Sequence, residues 1–497
     1  MRRMLCDKRE GWERLIVDDG ITYSFEMNED GTVHHYWREG VYYALTQVEV
    51  LALEKATAEI FKMFEEAGDW IEALPKSRRT AFMRDKMRIP EFAHKAILHT
   101  WADEPACQSV YGRFDFHYAG PGTMPRAYEF NAQTPTGLVE AAWAQWQWRD
   151  QTKIGIDQWN SIWDRLVEAW KRNLAEIGKK LRYDGDWDAS QKPTVHFAYS
   201  SGQTMGEDEI TVSYLMDTCL AAGYNVRKVI VDDFKLGNDG RLYVPKEGVD
   251  PHKDTYTIGV DSEHLDICFM LYPWEWVWNE PWGQAIFADM NNVGKFDKDD
   301  VYVGGTVWFE APYKMLWSNK AILPLLWQLF GNDPVRSQYL IPAWFKGEEP
   351  ADLTDRVEKP IFAREGASIK VYRNGTLQTI TAGDYNSDDP HDYIVQAYVP
   401  PPTFVDDHGQ TVYTIVGSWV IDGEPAGMGV REDVGVVTTT NGFFAPHAIV
   451  DIQDSPVVGT ITSTTQDAAP ARLDLQDAPA PETTIQPAYA GFTAPRR

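Results

Sequence analysis

The stretch Arg113 to Asn131, RFDFHYAGPGTMPRAYEFN, constrains this chain more than any other. Aromatic and polar residues alternate on both sides of Gly120-Pro121-Gly122, which predicts two short strands joined by a turn. A strand's period of two then sorts the side chains. Phe114, Phe116, Tyr128 and Phe130 would point into a core, while Arg113, Asp115, Glu129 and Asn131 would share the other face. Oxygen-only ligation of that kind suits a hard cation such as Mg2+, which binds through one or two carboxylates and completes its shell with waters and substrate phosphates. Arg113 would be a fork for a phosphate or carboxylate. A surface hairpin with a solvated ion-pair face carries the same pattern. Thr134-Pro135-Thr136 then leads into a helical stretch from Gly137 to about Asp150, with Thr136 placed to cap it. A helix N-terminus beside such a face would attract anions.

A chain of 497 residues can bury a large core and divides into two or three packed parts. The formal charge of −27 argues against nucleic acid as a partner, since phosphate binding needs basic surface. The same acidity would steer a polycationic amine, or simply keep the protein soluble. The twenty tryptophans, dense around Trp143 to Trp148 and Trp274 to Trp282, read as core or interface mass. Cys6, Cys107, Cys219 and Cys268 are far apart and fit neither a metal pattern nor a disulfide framework, so reduced thiols in the cytoplasm are expected. The N-terminal MRRMLCDKREGWERL has charge without a following apolar run and does not read as a signal peptide. No apolar stretch is long enough to cross a bilayer, so no membrane partner is expected.

Along the chain, Thr22 to Phe25 reads as strand-like, and a helix begins at Thr46 with a capping box to Glu49 and ends near Gly68. Residues 76 to 107 look helical and irregular, and a further helix is expected from about Asp157 to Leu181. Val195 to Tyr199, Glu207 to Ala222 and Val226 to Val231 read as strand, helix and strand, a βαβ unit with a piece of parallel sheet. The loop Ser200 to Gly206 would lie at the carboxyl end of its first strand, on the substrate side. It has neither a dinucleotide fingerprint nor a Walker lysine. Cys268 to Tyr272 is another strand, running into PWEWVWNE, where Glu275 and Glu280 could hold an ammonium among tryptophans or could be two surface acids. Ser318 is placed near the start of a helix, Ala321 to Phe330. Val357 to Ala363 and Ile369 to Arg373 form a hairpin through Arg364 to Ser368 that could close as a flap over phosphates. Tyr393 to Val399 is a strand, and Tyr413 to Ile421 with Ala426 to Val430 forms a final hairpin on the tight-turn signal Asp422-Gly423. From about Ser455 to Arg497 the chain is Ala-, Pro-, Thr- and Asp-rich and reads as a flexible tail.

Taken together and in order, RFDF, EFNAQTPT, YPWEW, KMLWSNKAILPLLWQLF, EKPIFAREGAS, YIVQAYV and VGSWVIDGEPAGMGVRED resemble the glutathionylspermidine synthase family, a ligase of the ATP-grasp superfamily. The resemblance spans about residues 10 to 450. It implies an α+β and α/β chain with an ATP-grasp fold, two subdomains sandwiching the nucleotide, and a βαβ-containing substrate part. On that reading residues 10–190 carry the helices and the hairpin, 191–300 the substrate side, 301–450 the nucleotide grip and 451–497 the tail. The implied reaction is ATP-dependent amide formation, in which a peptide carboxylate is phosphorylated and an amine attacks the acyl phosphate.

The resemblance places Asp115, Glu129 and Asn131 on Mg2+, with two such ions usual for the chemistry. Arg113 and Arg431 would sit at the transferring phosphate, and Lys320 and Lys359 would grip the nucleotide phosphates. Arg364, Glu365 and Gly366 would form the mobile flap, and Gln396, Ala397 and Tyr398 would face the adenine. Thr134 and Thr136 would lie near the peptide, and Glu275 near the amine. The substrates implied are glutathione or a similar peptide and spermidine or another amine. The same chemistry on another pair, or a binding protein on the same scaffold, remains open. Bifunctional members add an N-terminal amidase, and since the resemblance begins near residue 10 no such domain is expected. Gln133, where relatives commonly have an acid, and the aromatic YPWEWVWNE depart from the family on the substrate side.

Overall fold

The computed structural model describes residues 1–27, 33–102, 109–182, 193–202, 206–253, 255–299, 301–406 and 408–451. Cys107, part of the loop between Ser200 and Gly206, and the tail from Ser455 lie outside the described residues. The acidic hairpin is not at the surface. Its strands Tyr111–His117 and Arg126–Asn131 form one side of a six-stranded antiparallel sheet. Tyr111–His117 is bonded on its other edge to Thr411–Ile421, and the sheet continues to Glu424–Asp433 and Phe443–Ala445. The Asp422-Gly423 turn joins the long pair as expected, with both residues at positive φ (53° and 82°).

The helix Gln47–Ala73 covers one face of this sheet, and its capping box forms as expected. It buries Val50, Leu53, Ile60, Phe64 and Ala67. Phe64 meets Phe114 and Phe130 edge-on, with ring centroids 5.4 and 5.2 Å apart. Each buried Val, Leu, Ile or Phe of this set contributes about 1.5–3 kcal/mol. Gly68 lies within the helix rather than near its end: an added Cβ would come 2.2 Å from the Trp101 ring, so the glycine marks a close approach, not a stop.

A five-stranded antiparallel sheet carries Ala343–Phe345, Tyr393–Ala397, Arg356–Pro360, Lys370–Arg373 and Thr376–Ile380 in that spatial order. The third large sheet is parallel, with Val307–Phe309, Ile267–Leu271, Thr194–Tyr199 and Asn225–Ile230 side by side. Its last two strands flank the helix Glu207–Ala221, which is the expected βαβ unit.

Four local expectations are corrected. Thr22–Ser24 is a 3₁₀ turn, with the strand starting at Phe25. Asp157 precedes its helix, which runs Ile162–Leu181. Ser318 ends one short helix, Lys314–Ser318, and the next begins at Ile322. Thr136 makes no N-cap: the helix opens two residues later and passes through a π-turn, Glu140–Ala144, before Gln145–Thr152. Gly137 at φ 79° breaks the approach. No helix among the described residues is long and apolar enough to cross a membrane, and Cys6, Cys219 and Cys268 are free.

Candidate active site

Across the hairpin Arg113 pairs with Asn131, Phe114 with Phe130 and Asp115 with Glu129. Asp115 and Glu129 are therefore direct cross-strand neighbours on one face. Past them the register shifts between Asp115 and Phe116, so that Phe116 faces Ala127. The bulge corrects one expectation. Tyr128 does not enter the core; it lines a cavity and donates its hydroxyl to the Val399 carbonyl at 3.0 Å. One inserted residue shifts the alternation beyond it, and Ala127 takes the buried place.

The cavity, about 360 Å3, lies between the hairpin face and the five-stranded sheet. Every site residue expected above lines it except Glu275 and Glu280, the latter accepting from Tyr272 Oη at 2.7 Å. The hairpin contributes Arg113, Asp115, Glu129 and Asn131, and the chain after it Thr134 and Thr136. Lys359 and Gln396 come from neighbouring strands of the five-stranded sheet, and Lys320 from the turn between two short helices. Arg364, Glu365 and Gly366 close one side, and Arg431 enters from the long hairpin.

Within the cavity the charges are paired. Arg113 donates through Nε and Nη2 to the two Asp115 oxygens at 2.7 and 3.2 Å, and through Nη1 to the Thr136 carbonyl at 2.5 Å. Asn131 Nδ2 donates to Asp115 Oδ2 at 3.2 Å, which leaves its carbonyl oxygen as the free donor atom for a cation. Lys320 Nζ lies 3.3 Å from Glu129 Oε2 and donates to the Ala363 carbonyl at 2.5 Å. Lys359 Nζ donates to the Tyr128 carbonyl at 3.3 Å. Burial opposes the Glu129 charge, but Lys320 and Lys359 outweigh it and hold this carboxyl below its usual range. Burial pushes the Lys359 ammonium down to about 8.

Asp115 and Glu129 are two carboxylates, and among the described residues no cluster of three or more His, Cys, Asp or Glu side chains could hold a metal unaided. The donor set fits Mg2+ on those terms: hard oxygens, few of them, beside cations that phosphates would engage. On the strand Tyr393–Ala397 and just past it, the Gln396 Nε2 is buried without a partner, whereas the Ala397 and Tyr398 amides are taken by the Pro342 and Asp355 carbonyls. Only their carbonyls and side chains are left for a ligand. Arg431 donates Nη2 to the Thr439 carbonyl at 3.0 Å, and its Nε is buried without a partner.

On the other side, Ser200, Asp208, Tyr272, Trp276 and Tyr385 also line the cavity. The βαβ loop signalled Ser200, but nothing signalled Tyr385, which sits in an exposed polar stretch. Behind this wall Glu140 is fully buried, accepts from Tyr23 Oη at 2.7 Å, and is held above the usual carboxylate range by burial. Glu207 is raised to about 7 by burial and then by Glu140. Gln133, the departure from the family pattern, touches no cavity surface. It accepts from the Trp274 amide at 3.0 Å and donates to Ser318 Oγ, so it clasps the Trp-rich segment to the turn before Lys320.

Comparisons with known proteins find relatives that match most of the chain. A Haemophilus influenzae protein provisionally named an acid–amine ligase is 30% identical over 444 residues, covering 88% of this chain and 96% of that protein. The trypanothione synthetase of Crithidia fasciculata is 24% identical over 393 residues; the match covers 76% of this chain and 52% of that longer protein. Among solved structures, a glutathione synthetase-like effector from Globodera pallida aligns over 90% of this chain and 100% of its own at 10% identity, with a TM-score of 0.45. The family model described as glutathionylspermidine synthase preATP-grasp matches residues 3–450, and the chain belongs to that family.

Proposed function

We propose that this protein is an ATP-dependent, ADP-forming carboxylate–amine ligase that makes an amide through an acyl phosphate. The donor is glutathione or a similar small peptide, and the acceptor is spermidine or another amine. One observation carries the reading: Arg113, Lys320, Lys359, Arg364 and Arg431 converge with Asp115, Glu129 and Asn131 on one cavity, in a chain of net charge −27. Phosphoryl transfer is positioning and charge neutralisation, and this is the inventory it needs. Membership of the family and the names of both relatives support a ligase.

In this reading the six-stranded and five-stranded sheets are the two walls of an ATP-grasp nucleotide site. Asp115, Glu129 and Asn131 hold Mg2+, two ions in all, which when bound neutralise and orient the phosphates. Lys320 and Lys359 exchange Glu129 and the Tyr128 carbonyl for nucleotide phosphates. Arg113 and Arg431 stabilise charge at the transferring group, and Arg364, Glu365 and Gly366 cover it. Gln396 offers its unpartnered amide to the adenine, beside Ala397 and Tyr398. Thr134 and Thr136 face the peptide. No nucleophilic side chain is required, because the acyl phosphate is the activated species. The test is phosphate release from Mg-ATP with glutathione and spermidine offered separately and together, with products weighed by mass spectrometry. Release that needs both, and a product lighter by one water than their sum, is the expected result. ATP binding without release for any peptide and amine pair of a small panel would overturn these substrates.

A further inference from the structure

Glu275 stands in the Trp-rich segment, where an acid could take an acceptor ammonium, but it does not face the cavity. It is buried at 7% exposure on the single helical turn Trp274–Val277. Its Oε1 accepts from Arg364 Nε at 3.1 Å and also from Arg364 Nη2. The remaining arm of the same guanidinium, Nη1, donates to Thr134 Oγ1 at 2.7 Å. All three donor nitrogens of Arg364 are thus engaged by residues outside the loop that carries them. An ammonium at Oε1 would have to displace that guanidinium.

The other end of the same loop is held separately. Glu365, Gly366 and Ser368 adopt left-handed backbone, with φ of 52°, 70° and 53°. A Cβ on Gly366 would lie 2.4 Å from the Thr438 carbonyl, so the loop rests directly on the segment that Arg431 and Asp433 fix. Glu275 is in turn held from behind, since Gln133 bonds the Trp274 amide. A continuous line of contacts therefore runs from Asn131 through Gln133 and Thr134 to Trp274, Glu275 and the loop.

We propose that Glu275 is a positioning residue, a latch that holds the 361–369 loop against the cavity through Arg364. A loop set in its closed geometry costs the nucleotide less ordering free energy, and a closed site keeps water from the acyl phosphate. Water attack at that carbonyl breaks the bond to the phosphate, regenerates the donor carboxylate and wastes one ATP. The consequence for turnover rests on the ligase reading; the latch itself does not.

The test uses the full chain and trypsin at limiting dose, with cleavage of the Arg364–Glu365 bond followed by mass spectrometry in the absence of nucleotide. The wild type should resist. Glu275→Gln should be cut about tenfold faster at this bond, with Tm and cleavage elsewhere unchanged. Arg364→Lys keeps a trypsin site and the charge but loses the fork, and should open similarly, while Glu275→Asp should restore part of the resistance. A rate at Arg364 unchanged in both Glu275→Gln and Arg364→Lys overturns the latch. In the turnover arm, with glutathione and spermidine as probes, Glu275→Gln should release more phosphate per amide formed. A rise in amine KM alone, with cleavage at the wild-type rate, would return Glu275 to the acceptor site. If the wild type binds no Mg-ATP, the ligase reading fails while the cleavage data still decide the latch.

Discussion

Two lysine–carboxylate pairs lie on either side of the hairpin, and they are built for opposite ends. Lys314 and Glu310, 3.1 Å apart with side chains 2% and 1% exposed, are enclosed. Glu310 accepts from the Val110 and Tyr111 amides at 2.9 and 3.2 Å, and Lys314 donates to the Tyr111 and Ala132 carbonyls at 3.2 Å each. These bonds close the ends of both hairpin strands. Lys320 and Glu129, 3.3 Å apart, open into the cavity instead, and Glu129 is 24% exposed at the side chain. A buried pair tied to the backbone at the ends of both strands serves as scaffold. A pair at a cavity wall can trade each partner for a ligand of the same sign, a phosphate for the carboxylate and a cation for the ammonium.

The largest effect expected is on the scaffold pair. Lys314→Met leaves Glu310 enclosed without its cation, where burial already holds the carboxyl above its usual range, and should cost about 3–5 kcal/mol, read as a marked fall in Tm. Equal stability in that variant would erase the distinction between the two pairs. Next comes Glu129→Gln, which should keep Tm close to wild type because Lys320 retains the Ala363 carbonyl, yet lower Mg2+-dependent turnover about a hundredfold or more. Unchanged turnover would remove Glu129 from the metal.

The smallest effect concerns the acids behind the wall. The Glu207 carboxyl is raised to about 7, so the folded state disfavours its ionisation. The two states bind protons alike below the unfolded value, near 4.5, and the destabilisation grows as pH rises from there to about 7. Glu207→Gln should therefore match wild type in Tm at pH 4 and exceed it at pH 8. Equal Tm shifts at both pH values would show that Glu207 titrates normally.

The hairpin was legible because alternation is local: residues two apart must share a face, whatever surrounds the strand. The bulge at Tyr128 was not, since a period of two carries no mark of an inserted residue. The βαβ unit and the capping box at Thr46 were legible for the same local reasons. Glu310 and Lys314 are spaced like any surface ion pair on a helix, and only the tertiary structure shows them enclosed. Glu275 is the clearest case. An acid among tryptophans is the composition of an ammonium site, but its partner, Arg364, lies 89 residues away on a loop. Gln133 looked like a substrate-side departure and is a clasp between segments. Site residues on one strand can be read from spacing; partners brought together from distant segments cannot.

The most direct measurement is calorimetric titration of ATP into the wild type, Glu129→Ala and Lys359→Ala, each with and without Mg2+. Binding to the wild type should depend on Mg2+, and Lys359→Ala should bind ATP at least tenfold more weakly while keeping the wild-type Tm. The Mg2+ dependence should vanish in Glu129→Ala. ATP affinity unchanged in both variants would contradict the assignment of this cavity to a magnesium nucleotide.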